Sequence, residues 1–220
     1  KEAKPIKYYT GLQLREIEKN EHKLSTGSKA VDDLIGGGYR SRVITEIDGI
    51  NKHGKTQMCF TAAVMCTRPV SEGGLDGDVI WMDMEGTFSQ DRVEQIAVNR
   101  GYSADEVLGK IICMRILNSE GQVRAIKKLE DFSSQLNVKL IVVDSLIQHF
   151  RNEFIGLQSL AGRQQLIAGF MGALKEFAFE HNCVVLATNQ MQAQPGLMFG
   201  DPNKPTGGNV VGHNVCMRLR

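Results

Sequence analysis

The chain has 220 residues, of which 42% are hydrophobic and 23% are charged, and its formal net charge is +1. This length predicts one compact domain, and no apolar run approaches the roughly 18 to 20 residues that a membrane-spanning helix needs. A charge this close to neutral excludes a generally basic surface, so any contact with nucleic acid must come from local loops.

Short β-branched runs alternate with longer segments of helical period, which predicts an α/β protein with a mostly parallel central sheet flanked by helices. In chain order, the predicted strands are Val43–Ile47, Asp78–Asp83, Ile111–Ile116, Val138–Asp144 and Cys183–Thr188. The predicted helices are Lys55–Thr67, Asp91–Arg100, Gly121–Leu136 and Leu160–His181, with a short further helix at the capping pattern Ser103-x-x-Glu106.

Two stretches show no regular period, namely Arg151–Arg163 and the Gly/Pro-rich Met191–His213. Long loops inside compact domains are often functional, so both are candidates for binding segments. The polar segment 1–23 is predicted to be a linker or a short packing segment, and residues 24–220 are predicted to form the core.

The cysteines are five, an odd number, and they form no close Cys-x-x-Cys pair. We therefore expect free thiols in a reducing compartment and no structural metal site. Lys1–Thr10 shows neither a secretory nor an organelle-targeting pattern, which favours the cytoplasm or the nucleus.

The strongest motif lies directly after the first long predicted strand. The loop Gly49-Ile50-Asn51-Lys52-His53-Gly54-Lys55-Thr56 has the spacing of a phosphate-binding P-loop, and a helical pattern follows it. Such a loop wraps ATP phosphates with backbone N–H groups; Lys55 would reach the β- and γ-phosphates, and the Thr56 hydroxyl would bind Mg²⁺. A glycine loop that merely turns the chain is the alternative.

A carboxylate is needed to help hold the metal ion, and Asp144 ends the apolar run Leu140–Val143. We expect Asp144 to act on Mg²⁺ through a water molecule. Because Ser145 follows directly, an Asp that caps the next helix is the alternative interpretation.

Glu85 and Gln190 follow or end other predicted strands, where α/β sheets place their ligand crevice. Glu85 is the candidate general base for attack of water on the γ-phosphate, and Gln190 is placed to sense that phosphate. The alternatives are that Asp83 and Glu85 form only a turn, and that Gln190 makes ordinary loop hydrogen bonds.

In order and sequence, these elements resemble the RecA-like recombinases, in particular the branch of archaeal RadA and its eukaryotic strand-exchange relatives. The resemblance spans 24–220 and rests on Leu24–Ser28, Leu34–Gly38, Gly54–Gln57, Asp83–Phe88, Val143–Ser145, Arg163–Gln165, Thr188–Gln190 and Gly200–Gly208.

The resemblance implies a RecA-like P-loop ATPase core that polymerises on single-stranded DNA, pairs it with a homologous duplex and exchanges strands. It further implies roles for single residues. Glu85 would activate water, Gln57 would belong to the nucleotide site, and Arg92 would stack on adenine. Gln190 and His213 would couple the γ-phosphate to two DNA loops, which match the two irregular stretches. Arg151 and Arg163 would contact DNA phosphates, although the residues alone also fit solvated surface charges.

The sequence departs from the family pattern in the first DNA loop, where uncharged Leu157 stands at the position of a usual arginine. Relative to the family, we expect the chain to be truncated at both ends, without the ATP cap and the polymerisation segment, and filament formation to be impaired. Phe60-x-x-Ala63 has the letters of the polymerisation motif but is expected to be core packing.

Partner proteins that carry a Phe-x-x-Ala motif are a further expectation from the resemblance. The pocket for such a phenylalanine would lie around Ile80, Met82, Ile112 and Met114, and the large side chains predict weak binding.

Two functions follow as alternatives. The first is a DNA-dependent ATPase and recombinase core. The second is a paralogue or excised core that binds nucleotide and partner proteins without strand exchange. A RecA-like ATPase with another task, such as a helicase, is disfavoured by the Gly200–Gly208 run.

Overall fold

The computed structural model describes residues 6–156, 158, 160–193 and 203–220. The strands are β1 (Lys23–Leu24), β2 (Tyr39–Arg40), β3 (Ile44–Gly49), β4 (Asp78–Asp83), β5 (Ile111–Arg115), β6 (Val138–Asp144), β7 (Val184–Ala193), β8 (Asn203–Pro205) and β9 (Met217–Leu219). The helices are α1 (Gly11–Lys19), α2 (Lys29–Leu34), α3 (Lys55–Cys66), α4 (Gln90–Asn99), α5 (Ala104–Gly109), α6 (Ser119–Ser133), α7 (Gln148–Glu153), α8 (Leu160–His181) and α9 (Gly208–Asn214), and a 3₁₀ turn spans Val70–Glu72.

The central sheet has the strand order β5-β4-β6-β7-β3-β9, and every neighbouring pair in this order is parallel. Strand β8 pairs with β7 in the antiparallel sense, and β1 and β2 form a separate antiparallel pair. Because parallel strands end at a common edge, the carboxyl ends of β3, β4, β6 and β7 lie side by side. This arrangement confirms the predicted α/β fold class and sets the position of the site.

Both faces of the sheet are buried. On one face, a cluster around Phe60 and Trp81 fills the space against α3, α4 and α5, and these two rings stack with centroids 4.7 Å apart. On the other face, Phe170 and Leu174 of α8 pack with Leu129 of α6 against the sheet. Phe60 is 2% exposed, so the sequence Phe60-x-x-Ala63 is core packing, as expected.

The long elements agree with the sequence pattern. The strands Asp78–Asp83 and Val138–Asp144 and the helix Leu160–His181 have the predicted bounds. Ser103 caps the short helix α5 by accepting a hydrogen bond from the Glu106 backbone. Within the described residues, no helix has both the length and the apolar content needed to cross a membrane.

The two stretches predicted to be irregular contain regular elements, so that prediction was wrong. Arg151 lies in α7, and Arg163 lies in the first turn of α8. In the second stretch, β7 continues to Ala193, and β8 and α9 follow. The elements α7, β8 and α9 are too short to show a periodic pattern, which explains why sequence reasoning missed them.

The amino-terminal segment contains the helix α1. Its first turn has a capping box, in which Thr10 accepts from the backbone of Gln13 while the Gln13 side chain accepts from the backbone of Thr10. Tyr9, just before the helix, makes an edge-on ring contact with Phe179 of α8, with centroids 5.9 Å apart. This contact attaches the segment to the core surface.

Candidate functional site

The loop after β3 ends on a glycine in the left-handed conformation. Gly54 has a φ of 86° and is the N-cap of α3, and no side chain caps this helix. A residue with a β-carbon is strained at this φ, which explains why glycine occupies the position. The backbone N–H groups of the first helical turn therefore face the loop without a side-chain partner, which is the arrangement that binds phosphate at a helix N-terminus.

Lys55 folds back over this loop. Its Nζ donates hydrogen bonds to the carbonyl oxygens of Gly49 and Ile50, at 3.1 and 3.0 Å. Across the part of the chain that the structure describes, no carboxylate pairs with the Lys55 ammonium. The positive charge is therefore held at the mouth of the loop by weak neutral acceptors that a phosphate oxygen would replace.

Asp144 is the buried acceptor at the centre of the site. It is 3% exposed; Thr56 Oγ1 donates to its Oδ2 at 3.0 Å, and Thr188 Oγ1 donates to its Oδ1 at 2.5 Å. Burial raises the pKa of this carboxyl, and the charges of Glu85 and Asp83 add to the effect while the two hydroxyls oppose it. A cation beside Asp144 would offset these unfavourable charges.

The donor set at this position fits Mg²⁺. A threonine hydroxyl and a carboxylate are hard oxygen ligands of the kind that Mg²⁺ prefers, and it usually keeps several waters in such sites. Thr56 and Asp144 lie within hydrogen-bond distance of each other at the end of the phosphate loop. The alternative that Asp144 caps the next helix is wrong, because α7 begins at Gln148 with Ile147 at its N-cap.

Glu85 and Asp83 have different roles. The buried Asp83 carboxylate accepts from the backbone N–H groups of Thr87 and Phe88, at 3.0 and 3.4 Å, and so shapes the turn. Glu85 is exposed on that turn, where its Oε1 accepts from Ser145 Oγ at 2.6 Å. The structure therefore separates the two predicted possibilities, since Asp83 forms the turn and Glu85 faces the site.

Gln190 completes the group at the end of β7. Its Nε2 lies 3.5 Å from Oε1 of Glu85. Both side chains line one cavity of about 300 Å³ with the phosphate loop and Asp144. The full lining is Asn51, Lys52, His53, Gly54, Lys55, Thr56, Gln57, Glu85, Thr87, Asp144, Ser145 and Gln190.

Three predicted nucleotide-site residues lie beside this cavity. Gly49 and Ile50 line a neighbouring cavity of about 690 Å³, which reaches towards α2 and β9. Arg92, on α4, donates to the side-chain oxygens of Gln57 and Gln95, at 2.5 and 3.0 Å. Since Gln57 lines the phosphate cavity, Arg92 is near its rim, where a base could lie.

The residues predicted to contact DNA do not enter the nucleotide cavity. Arg151 is exposed on α7 and shares a small hollow with Gln190 and Thr206. Arg163 is half-buried on α8, and its Nε has no hydrogen-bond partner in the described ranges. His213 is exposed in the last turn of α9.

The helix that carries Arg151 is fixed at both ends. His149 Nε2 lies 2.8 Å from the Ile116 carbonyl oxygen, just after β5. Glu153 accepts hydrogen bonds from the backbone N–H and the hydroxyl of Ser119, at the start of α6. Leu157 and the run Gly200–Pro202, which figured in the sequence predictions, lie outside the described residues.

Sequence reasoning missed the hydroxyl groups that orient the two carboxylates. Ser145 donates to Glu85, and Thr188 donates to Asp144. A signal was available, because Ser145 directly follows the predicted metal carboxylate and Thr188 ends a predicted strand. Their partners lie on other strands, however, so the sequence could not identify them.

The surface predicted for a Phe-x-x-Ala motif is formed by β4 and β5. Ile80 pairs with Ile112 and Met82 with Met114 in the register of these strands. Ile80 and Met82 are fully buried, whereas Ile112 and Met114 are half-buried on β5 at the sheet edge. Only the latter two could contact a partner, and binding of such a motif stays a prediction.

Comparison with known proteins identifies a family and a relative of this chain. The family profile described as Rad51 matches residues 18–220. The "DNA repair and recombination protein RadA" of Aeropyrum pernix is 40% identical over 219 residues, and this match covers 100% of the present chain and 69% of the relative.

Proposed function

We propose that the chain, which belongs to the Rad51 family, is a recombinase core. It would bind and hydrolyse ATP and couple this hydrolysis to the binding of single-stranded DNA. One observation carries the proposal. The ammonium of Lys55, the Thr56–Asp144 pair and the carboxylate of Glu85 line the same cavity. Phosphoryl transfer to water needs a phosphate cradle, a metal site and a group that orients water, and these residues supply all three.

The phosphate loop and Lys55 would hold the triphosphate. The open N–H groups at the start of α3 and the Lys55 ammonium are donors for phosphate oxygens. Thr56 and Asp144 would hold Mg²⁺, which neutralises charge on the β- and γ-phosphates when it is bound. With these contacts, the γ-phosphate would lie on the side of the cavity that Glu85 and Gln190 line.

Glu85 would orient and deprotonate the attacking water. The hydrogen bond from Ser145 keeps its Oε1 directed into the cavity, and the amide of Gln190 approaches the same oxygen. Gln190 can therefore respond to a change at Glu85 or at the γ-phosphate. Because β7 continues from Gln190 to Ala193 and returns through β8, a response at Gln190 reaches the segment expected to contact DNA.

DNA contact would come from Arg151 and Arg163, together with the segment around His213. Arg151 is exposed and shares a hollow with Gln190, so it links the nucleotide site to an outer surface. The Aeropyrum pernix relative is named as a DNA repair and recombination protein, which supports strand exchange as the biological task of this chain.

The test is ATP hydrolysis measured with and without single-stranded DNA, at two salt concentrations. We expect stimulation by DNA that weakens at the higher salt, because phosphate contacts release counterions. ATP hydrolysis that DNA leaves unchanged at both salts would contradict the coupling.

The second candidate is an interaction module that binds nucleotide without strand exchange, and uncharged Leu157 favours it. If the chain binds nucleotide but does not hydrolyse it, whether DNA is present or absent, the result supports this second candidate over the first. Glu85→Gln separates the two, because the module's nucleotide affinity and function would be indifferent to that change.

A further inference from the structure

A buried ion pair joins β3 and β9, which are neighbours in the central sheet although they come first and last among its strands along the chain. Glu46 of β3 is 0% exposed. Its Oε2 accepts from Arg218 Nε of β9 at 2.7 Å, and its Oε1 accepts from Asn189 Nδ2 of β7 at 2.7 Å. A buried carboxylate is strongly unfavourable unless it is paired and hydrogen-bonded, so these two partners fix its position.

Asn189 uses all its hydrogen-bonding capacity within this network. Besides Glu46, its amide donates to the carbonyl of Thr206 at 2.8 Å. Its Oδ1 accepts from Thr206 Oγ1 at 2.5 Å and from the backbone N–H of Gln190 at 2.9 Å. An asparagine side chain offers two donors and two acceptor positions, and all four are filled, so the side chain has one defined orientation.

As a result, hydrogen bonds hold both the backbone N–H and the backbone carbonyl of Gln190. Its N–H donates to Asn189, and its carbonyl accepts from the backbone N–H of Thr206 at 3.0 Å. Its side chain extends to Glu85, with Nε2 and Oε1 3.5 Å apart. A displacement of Asn189 would therefore move Gln190 relative to Glu85.

The network lies on the sheet face opposite to Thr188, the residue that donates to Asp144. Side chains alternate between the faces of a strand. Thr188 lies two residues after Leu186 and so shares the face that α3 covers, whereas Asn189 lies two residues after Ala187 and shares the other face. Glu46 shares the face of Ile44, in the cluster with Ala187. Glu46 thus acts on the site only through the strand end and does not line the cavity.

We propose that Glu46 is a positioning residue for Gln190, that it acts through Asn189, and that Arg218 orients it from the edge strand β9. This inference rests on the proposed ATPase function. Since the network does not line the phosphate cavity, its loss lowers turnover and leaves nucleotide affinity unchanged.

The test compares Glu46→Gln with the matched control Asp48→Asn. Asp48 is also a buried carboxylate on β3, 2% exposed; it pairs with Arg220 Nη2 at 3.1 Å and lies 3.7 Å from Arg218 Nε. Unlike Glu46, it makes no hydrogen bond to Asn189, so it controls for loss of a buried carboxylate beside Arg218 without loss of the link to Asn189. We expect Glu46→Gln to lower kcat about tenfold, a change of about 1.4 kcal/mol in the barrier, with the Kd for Mg-ATP within about twofold of the parent. Asp48→Asn should leave kcat within about twofold. An equal loss of kcat in both variants, or a rise in Kd that accounts for the loss, would overturn the proposal.

A rescue experiment tests the same link from the other partner. Asn189→Asp places two carboxylates within hydrogen-bond distance and should lower kcat more than Glu46→Gln does, because like charges in contact are unfavourable. The double substitution Glu46→Gln, Asn189→Asp restores a hydrogen-bonding pair in which position 46 donates and position 189 accepts, the reverse of the parent. We expect it to recover at least about threefold in kcat over Asn189→Asp alone. No recovery in a folded double variant would count against a direct Glu46–Asn189 link.

A variant on the protein surface guards against misfolding. Arg218 has 35% of its side chain exposed, so Arg218→Gln should fold even if Glu46→Gln does not. It should lower kcat with an unchanged Kd, and an unchanged kcat would remove Arg218 from the proposal.

Amide hydrogen exchange separates this inference from the proposed function. Without ATP, exchange at the Gln190 and Thr206 N–H groups should be faster in Glu46→Gln than in the parent and in Asp48→Asn. If the parent hydrolyses no ATP, the proposed function fails, while faster exchange in Glu46→Gln alone still supports the positioning of Gln190. Unchanged exchange at both amides would overturn the positioning role whatever the hydrolysis rate.

Discussion

The hydroxyl of Ser145 donates a hydrogen bond to the carboxylate of Glu85, with Oγ and Oε1 2.6 Å apart. Ser145 directly follows Asp144, so the residue that would hold the metal and the residue that orients the candidate base are neighbours in the chain. The geometry of Glu85 is therefore tied to the strand end that carries Asp144. One short piece of backbone would therefore fix both the metal position and the position of the attacking water.

Replacement of Glu85 should separate binding from chemistry. Glu85→Gln keeps the size of the side chain and an oxygen that can accept from Ser145, but it removes the basic carboxylate. We expect kcat to fall by about 10²- to 10⁴-fold with little change in the Kd for Mg-ATP. Glu94→Gln, at an exposed position of α4, is the control. Equal hydrolysis rates for Glu85→Gln and the parent would remove Glu85 from its role.

Replacement of Lys55 should weaken nucleotide binding itself. Lys55→Ala removes the ammonium that lies over the loop carbonyls, and a hydrogen bond to a charged group contributes about 1.5 to 3 kcal/mol. Titration calorimetry with Mg-ATP should show a Kd raised by about 10- to 150-fold or more. The control is Lys29→Ala on α2, where the side chain is 89% exposed and pairs with Asp33. Parent-like affinity in Lys55→Ala would contradict the phosphate-loop interpretation.

Arg92 should act on the base and not on the phosphates. It lies beside Gln57 at the rim of the cavity, and a cation over a π-face contributes about 0.5 to 1 kcal/mol at exposed sites. Arg92→Ala should therefore raise the Kd for ATP about two- to fivefold. Inorganic tripolyphosphate has no base, and its affinity should stay at the parent value. A parallel loss for both ligands would assign Arg92 to the phosphates instead.

Arg151 should contribute to DNA affinity through charge. It is exposed on a helix that His149 and Glu153 fix to the core. In Arg151→Ala, the slope of log K against log salt for single-stranded DNA should decrease in magnitude by about 0.7 to 1. Arg124→Ala, which removes an exposed arginine paired with Glu120 on α6, is the matched control. An identical slope for the two variants would exclude Arg151 from phosphate contact.

The cysteines should react with thiol reagents in an order set by burial. Burial raises the pKa of Cys183 to about 12 and raises those of Cys59 and Cys66 as well, while Cys113 is half-buried and Cys216 is exposed. Since the thiolate is the reactive form, labelling of the native protein at pH 8 should be fast at Cys216, slow at Cys113 and absent at the other three. Cys216→Ser should remove the fast phase, and fast labelling of a buried cysteine would indicate local opening.

The sequence determined the local parts of this protein. The spacing of Gly49, Gly54, Lys55 and Thr56 after an apolar strand predicted the phosphate loop, and long periodic runs predicted the main strands and α8. These features depend on backbone preferences and side-chain periodicity over a few residues, which a linear pattern records. The short elements α7, β8 and α9 were not predicted, because they are stabilised by packing against the core and have no clear periodic pattern of their own.

The tertiary structure alone decided which side chains meet. The contact of Thr56 with Asp144 joins positions 88 residues apart, and that of Glu46 with Arg218 joins positions 172 apart. The division of roles between Asp83 and Glu85 likewise depends on which carboxylate points back to its own turn and which points to Ser145. Such contacts depend on strand order and register, and these follow from the packing of the whole sheet and not from any one segment.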